Sequence, residues 1–354
     1  MESKSRLNNW RGRIFTAGIL LAVLILIGIL HKMGYVNFDA TNEATEYIYA
    51  METEMQIEAY GKEADEAVAA AVAEINRLDA LLSVGVETSE VAQLNEAGTY
   101  EVSEDVLTIL EEAQYINTST NGAFDPTVYP LMEAWGFTTK DYTVPSAETI
   151  AELLQYVGME NVTVSGSTVT LAEGTKIDFG GIAKGFTSDR IMEIFAEYDL
   201  TGGMVSLGGN VQVYEKTSKG SDSWRIAIVN PTDTTSYLGS VSVEDKAVIT
   251  SGAYQRYFEE DGVTYHHILD PSTGYSANNG LISVTIVSED GMLADGLSTA
   301  IYVMGLEEAT AYYRQHNKEF DMVLMTDDGM VYITEGLADG FSSDLDYEVI
   351  SDTE

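Results

Sequence analysis

The chain has 354 residues, 45% hydrophobic and 21% charged, enough for one large or two ordinary domains with a sizeable core. A formal net charge of −39 excludes nucleic acid as a partner and repels anionic lipid, so a phosphate-bearing ligand has to be held locally, through metal, helix ends and backbone N–H groups. There is no cysteine, which removes disulfides, thiolate metal sites, cysteine nucleophiles and a lipidated cysteine anchor.

Residues 1–13 are basic through Lys4, Arg6, Arg11 and Arg13. Residues 14–30 (IFTAGILLAVLILIGIL) carry no charge and predict one N-terminal transmembrane helix, at the short end of what spans a bilayer. The basic flank orients residues 1–13 to the cytoplasm and the bulk of the chain outside: a single-pass protein of the cell membrane with its main domain extracytoplasmic. A cleaved signal peptide has a similar length. No A-x-A site follows, so an uncleaved anchor is the expectation. Residues 31–46 read as an acidic linker, 47–340 as the globular domain and 341–354 as a loose acidic tail.

Within the domain, Met55 to Ala59 reads as a strand. Glu63 to Leu82 reads as a helix with Ala67, Ala71, Ile75, Leu78 and Leu82 on its apolar side. Ser83 to Tyr100 reads as loop. Ser103 N-caps a helix through Leu107, Leu110 and Ala113, with acids in its first turn. Ser146 caps a helix to Val157, and Val162–Val164 with Thr168–Leu171 form a hairpin. KIDFGGIAKGFTSDR, Lys176 to Arg190, predicts a strand, a Gly-Gly turn and a helix from about Ile182 to Tyr198. A glycine-rich turn feeding a helix N-terminus is a ready phosphate site, though tight packing explains it equally. Met204–Leu207, Trp224–Val229, Leu238–Val243 and Ala247–Thr250 are strands, and Tyr254–Glu259 pairs with Val263–Ile268 as a hairpin.

His266 and His267 lie near the end of that hairpin, ahead of the loop formers Asp270-Pro271 and Gly274. Leu281–Val287 is β-branched and apolar, a buried strand. Met292–Met304 is a helix in which Asp295 and Thr299 are four apart and share a face. A carboxylate and a hydroxyl at that spacing suit a hard cation such as Mg2+. The bland alternative is that Thr299 bonds back to the carbonyl of Asp295. Leu306–His316 is helical, and Phe320–Met325 pairs with Val331–Thr334. Without regular β-α-β alternation, these elements predict an α+β fold of mainly antiparallel sheets with packed helices.

Seven segments, taken together, resemble the ApbE family of FAD:protein FMN transferases, over about Tyr49 to Thr334. They are SEVAQLN (Ser89–Asn95), NGAFDPT (Asn121–Thr127), IDFGGIAKGF (Ile177–Phe186) with Asp189, LGGN (Leu207–Asn210), TSGAYQRYF (Thr250–Phe258), HHILDPSTGY (His266–Tyr275) and ADGLSTAIYVMG (Ala294–Gly305). The resemblance implies that residues 47–340 are a catalytic domain. It would cleave FAD and attach FMN to a Thr or Ser hydroxyl of an acceptor flavoprotein, releasing AMP. It implies Mg2+ held by Asp295, Thr299 and the Gly181 carbonyl. FAD would lie against Met51, Ala123, Phe124, Asp125, Asp178, Lys184 and Leu269, with His267 as the base. Two places depart from the family pattern. Met51-Glu52-Thr53 stands where Met-Gly-Thr is frequent, and Ser83-Val84-Gly85 stands where Ser-Thr-Tyr is frequent, which removes an aromatic from one wall.

The chemistry of the residues is compatible with that role. Phosphoryl transfer needs charge neutralisation and positioning more than covalent chemistry. A histidine suits removal of a hydroxyl proton. Lys184 adds positive charge unless it is a solvated surface lysine, His266 reads as a polar strand end, and Asp125 and Asp178 also fit turn or cap roles. Two alternatives stand beside it: an Mg2+-dependent FAD pyrophosphatase using the same site with water as nucleophile, and a non-catalytic surface flavin-binding protein, which would not need Asp295, Thr299 and His267.

Overall fold

The computed structural model describes residues 42–216 and 223–353. The anchor predicted over residues 14–30, with its basic flank, lies outside them. Among the described residues no helix is long and apolar enough to cross a membrane.

From Glu43 the chain makes β1 (Glu43–Ala50) and β2 (Thr53–Gly61), then α1 (Ala64–Leu82), α2 (Glu90–Ala97), β3 (Thr99–Glu101) and α3 (Glu104–Ser119). Two short helices, α4 (Tyr129–Ala134) and α5 (Ala147–Leu153), precede the hairpin β4 (Val162–Ser165) and β5 (Thr168–Leu171). Helix α6 (Ala183–Phe195) leads to β6 (Leu200–Leu207) and β7 (Asn210–Glu215). Strands β8 (Trp224–Val229), β9 (Tyr237–Val243) and β10 (Ala247–Gly252) follow, then the hairpin β11 (Tyr257–Glu260) and β12 (Val263–His266). The remainder is β13 (Leu281–Ser288), α7 (Gly291–His316), β14 (Asp321–Thr326), β15 (Val331–Thr334), β16 (Phe341–Ser342) and β17 (Tyr347–Ile350).

Nine strands form one sheet in the order β1-β2-β6-β7-β10-β13-β14-β15-β17. Every neighbouring pair is antiparallel except β15 with β17. This is the α+β architecture expected. Strand alternation divides the core. Ala247, Ile249, Val284, Ile286, Met322 and Leu324 pack with α3 and α7 on one face. Their neighbours Val248, Val287, Val323 and Met325 pack on the other face with Ile226, Ile228, Leu238 and Val241 of β8 and β9. Cutting a fully buried leucine such as Leu324 to alanine costs about 2–5 kcal/mol in sites of this kind.

Helix α1 buries Ala67, Ala71, Ile75, Leu78 and Leu82, as their spacing predicts. Its alanines let it lie close on Ile57, Ala59 and Val205. Helix α7 is interrupted at Gly305 (φ 80°, ψ 172°), so its two stretches match the two helices read from the sequence. Asn279 Nδ2 donates to the carbonyls of Tyr302 (3.0 Å) and Val303 there, satisfying groups the break frees.

Several expectations are corrected. Residues 43–46, read as linker, already belong to β1, paired with β2 from Glu43↔Tyr60 onward. The stretch read as loop between Ser83 and Tyr100 contains α2, capped by Ser89, whose hydroxyl accepts from the Ala92 amide at 3.0 Å. Ser103 does not cap α3 with its side chain; its amide donates to Glu90 Oε2 at 2.7 Å. No strand precedes Gly180-Gly181: Asn95 takes the place of a ladder, accepting from Ile177 N (2.8 Å) and donating to Ile177 O (2.8 Å). The tail after Phe341 is not loose. It supplies β16 and the parallel edge strand β17, buries Ile350, and takes a bond from Tyr313 Oη to Asp352 at 2.6 Å.

Candidate active site

Asp295 lies on the second turn of α7 and is 4% exposed. Its Oδ2 accepts from the Gly185 amide (2.9 Å) and its Oδ1 from Asn210 Nδ2 (2.8 Å). Both donors are neutral, and among the described residues no lysine or arginine pairs with it. A buried carboxylate without a countercharge is costly, so this position calls for a cation.

One turn on, the hydroxyls sort themselves. Ser298 Oγ, not Thr299, donates to the Asp295 carbonyl (2.8 Å). Among the described residues Thr299 makes no such bond, so the back-bonding alternative does not hold. Its Oγ1 has one long contact, 3.5 Å to Ser251 Oγ. Gly181 comes up beside it: a Cβ built on Gly181 would lie 3.6 Å from Thr299 Oγ1 and 3.1 Å from the Phe124 ring. The Gly185 amide, which a regular helix would spend on the Gly181 carbonyl, goes to Asp295 instead. Carboxylate, hydroxyl and released carbonyl are an all-oxygen donor set, and this set fits a hard cation such as Mg2+.

The walls are tied together by backbone. Asp178 N donates to the Pro126 carbonyl (3.0 Å), joining the Gly-Gly turn to the Ala123-Phe124-Asp125 turn. Phe124 is buried and its carbonyl accepts from Asn117 (2.8 Å). Asp125 is spent internally: its carboxylate takes the amide of Thr127 (2.8 Å), the hydroxyl of Thr127, and Asn117 Nδ2 (3.2 Å). Burial raises it above the usual carboxylate range. It is a cap, the plainer of the two roles. Among the described residues the Asp178 carboxylate bonds only the Gly180 amide (3.0 Å), an Asx turn. Burial raises its pKa, while the Gly180 amide, Arg256 and Lys184 pull it down. Lys184 Nζ lies 3.4 Å from the Gly180 carbonyl. Met51 joins the same wall, its sulfur 3.8 Å from the Thr187 hydroxyl of α6. The side chain of Leu269 belongs to a separate aromatic cluster with Trp135 and Phe137.

His267 sits just past β12, opposite Arg256 at the root of the β11–β12 hairpin. Its amide and its ring Nδ1 both lie 3.1 Å from the Arg256 carbonyl. A carbonyl only accepts, so Nδ1 carries the proton and Nε2 holds the lone pair. Burial first, then the Arg256 guanidinium, pushes the imidazole pKa down to about 3, so it is neutral near pH 7. His266 is structural, as expected: its Nε2 meets the Ala277 carbonyl (2.9 Å) and its ring stands edge-on to Tyr302.

Sequence reasoning assigned no role to Asn210, Gly185, Arg256 or Asp189. Asn210 and Arg256 lie inside the LGGN and TSGAYQRYF segments, which was the available signal. Asp290 caps α7, and Asp189 of α6 accepts from Gly291 N (2.8 Å) and Met292 N (2.7 Å), which ties down the helix that carries Asp295. Gly185 permits close packing: a Cβ there would meet Gly291 O at 2.2 Å.

A buried carboxylate, a helical hydroxyl, two cationic side chains and a neutral imidazole on an antiparallel α+β scaffold are the equipment of a group-transfer enzyme. The chain belongs to the ApbE family, whose model matches residues 51–324. It is 35% identical over 247 residues to the FAD:protein FMN transferase of Vibrio cholerae serotype O1, covering 69% of this chain and 74% of the relative. It is 31% identical to one from Klebsiella pneumoniae, over 82% of this chain and 92% of the relative. Among solved structures, an ApbE protein of Thermotoga maritima superposes with a TM-score of 0.78 at 35% identity, over 83% of this chain and 98% of the other. The flavin transferase ApbE from Vibrio cholerae gives 0.76 at 28% identity, over 85% and 99%.

Proposed function

We propose that this chain is a Mg2+-dependent flavin transferase: it cleaves FAD and joins FMN to a Thr or Ser hydroxyl of an acceptor flavoprotein, releasing AMP. The observation that carries the reading is the Asp295, Thr299 and Gly181 donor set, beside a neutral His267 whose tautomer is fixed by Arg256. The related FAD:protein FMN transferases support it.

Asp295, Thr299 and the Gly181 carbonyl would hold Mg2+, which supplies charge stabilisation to the diphosphate when bound. Lys184 and Arg256 add positive charge on the same side. Met51, Ala123, Phe124 and Asp178 line the place for FAD, and Asp125 shapes that wall through its cap; the Leu269 side chain is spent on the neighbouring aromatic cluster. His267 Nε2 accepts the proton of the acceptor hydroxyl. The hydroxyl oxygen forms a bond to the FMN phosphorus, the bond from that phosphorus to the bridging oxygen breaks, and AMP leaves with that oxygen. Such base assistance is typically worth about a hundred- to ten-thousandfold.

The test incubates the chain with FAD and Mg2+, with and without an acceptor flavoprotein. Acceptor-dependent AMP together with an FMN-sized mass gain on the acceptor is the expected result. AMP without acceptor would indicate a pyrophosphatase, and unchanged FAD a binding protein.

The basic flank and apolar run also support an extracytoplasmic catalytic domain on a membrane anchor. Protease added outside intact cells should then cleave beyond residue 39 and spare residues 1–13. Full protection of the domain would overturn this placement.

A further inference from the structure

The turn between β1 and β2 is Met51-Glu52, with φ of 46° and 60°. Two successive left-handed residues make a hairpin turn that ordinarily uses Asn and Gly. Neither is present, so contacts with three other elements hold the turn. Met51 N donates to Asp79 Oδ1 of α1 (3.1 Å), and the Met51 sulfur meets Thr187 of α6. Glu52 Oε2 lies 3.6 Å from Arg256 Nη2 at the root of the β11–β12 hairpin. Arg256 Nη1 reaches the Phe137 carbonyl (3.4 Å), so the guanidinium spans from the turn to the aromatic cluster. It faces the site: the Arg256 charge acts on both Asp178 and His267, as that of Lys184 does, and the Glu52 charge also reaches Asp178.

We propose that Glu52 is a resident anion for Arg256. Its carboxylate occupies the guanidinium until the diphosphate of the incoming dinucleotide replaces it, and Glu52 thereby sets the affinity of the site for anionic ligands. This rests on the flavin-transferase reading above. A guanidinium offers paired N–H donors that match phosphate oxygens bidentately. The Glu52 contact is a single, longer and partly exposed pairing, with side-chain exposures of 36% for Arg256 and 56% for Glu52. Pairs of that kind are weak enough to exchange and strong enough to register in affinity. The left-handed backbone at Glu52 is kept at the expense of local strain.

The test is a double-mutant cycle on ligand affinity, using FAD and, separately, ADP, which carries a diphosphate but no flavin. Wild type, Glu52→Gln, Arg256→Gln and the double variant are compared at one salt concentration with Mg2+ present. Glu52→Gln should tighten both ligands by about two- to fivefold, the equilibrium worth of an exposed ion pair. Arg256→Gln should weaken both. With Arg256 already changed, Glu52→Gln should give less than half its gain. Glu52→Gly, which suits φ of 60°, should tighten binding in the same direction and serves if the glutamine variant folds poorly. An equal gain with and without Arg256, or no gain in a stably folded variant, overturns the inference alone. A wild type that binds neither ligand overturns the flavin reading and the inference with it.

Discussion

The Arg256 carbonyl holds His267 twice, at its amide and at its ring Nδ1, each at 3.1 Å. Backbone thus fixes both the position of the imidazole and the nitrogen that bears its proton. His267→Asn should keep FAD affinity within a few fold, because metal, backbone donors and ring contacts need no imidazole, while FMN transfer falls by about a hundredfold or more. FAD fluorescence titration and the mass of the acceptor measure the two. Transfer at the wild-type rate would move the base elsewhere. His266→Asn should leave transfer much less affected and lower thermal stability, since His266 braces the Ala277 carbonyl.

Asp295→Ala should slow turnover by about a hundredfold or more, the usual scale for removing a main electrostatic contact from such a site. It should also abolish the rise in melting temperature that Mg2+ gives the wild type. Thr299→Ala should cost less on both measures, because water can replace a neutral hydroxyl. Equal turnover of Asp295→Ala and wild type at limiting Mg2+ would remove Asp295 from the metal.

Acid should destabilise the fold partly through His267. Its folded pKa of about 3 lies below the usual histidine value of about 6.5. Between those values the unfolded chain binds a proton that the folded chain does not, so this contribution is full above about pH 6.5 and fades as pH falls toward 3. Asp189 works in the opposite sense. Burial and Asp290 push it up to about 7, so the folded chain holds its proton where the unfolded chain has lost it, and its contribution fades as pH rises toward 7. The comparison that isolates His267 is wild type against His267→Asn: between pH 7 and pH 4 the wild type should lose more melting temperature than the variant. Parallel curves would contradict a neutral imidazole in the folded chain.

Gly185→Ala should be disproportionately harmful for one methyl group. The new Cβ would sit 2.2 Å from Gly291 O and 2.7 Å from Asp295 Cβ. Helices α6 and α7 would have to part, at a cost of about 1–3 kcal/mol for overpacking. The expected result is a lower melting temperature together with a weaker Mg2+ response, because the Gly185–Asp295 bond spans that contact. A variant with wild-type stability would show that the helices have room there.

Legibility in the sequence followed burial. Helix α1 could be read because its apolar residues recur on one side, and β13 because nearly all of it is buried. Helix α2 was missed because only Val91 and Leu94 are buried in it, too few to show a period. Strand β17 was missed because it is acidic around Tyr347 and buries only Ile350. The false strand before Gly180 has the right apolar residues, Ile177 and Phe179. Its hydrogen bonds come from Asn95, 82 positions away, which no local pattern reports. The site divides the same way. Asp295 and Thr299 share a helix, and their spacing alone paired them. The groups that hold Asp295 sit 110 and 85 positions distant, and only the fold brings them in.

The order of the large sheet, β1-β2-β6-β7-β10-β13-β14-β15-β17, never steps backward along the chain. Each strand of that sheet therefore finds its partner already in place when it emerges during synthesis. The sheet can lengthen at one growing edge without reopening earlier pairings, and no strand waits for a later one to be inserted beside it. The proposed metal ligands obey a different schedule. The Gly181 carbonyl, Asn210 and the Glu52–Arg256 pair are all made before α7, so the groups around the site precede Asp295 in synthesis. A nascent chain stalled before Asp295 would have six of the nine strands of that sheet, would lack the helix that covers Ala247, Ile249, Val284 and Ile286, and would be chemically silent.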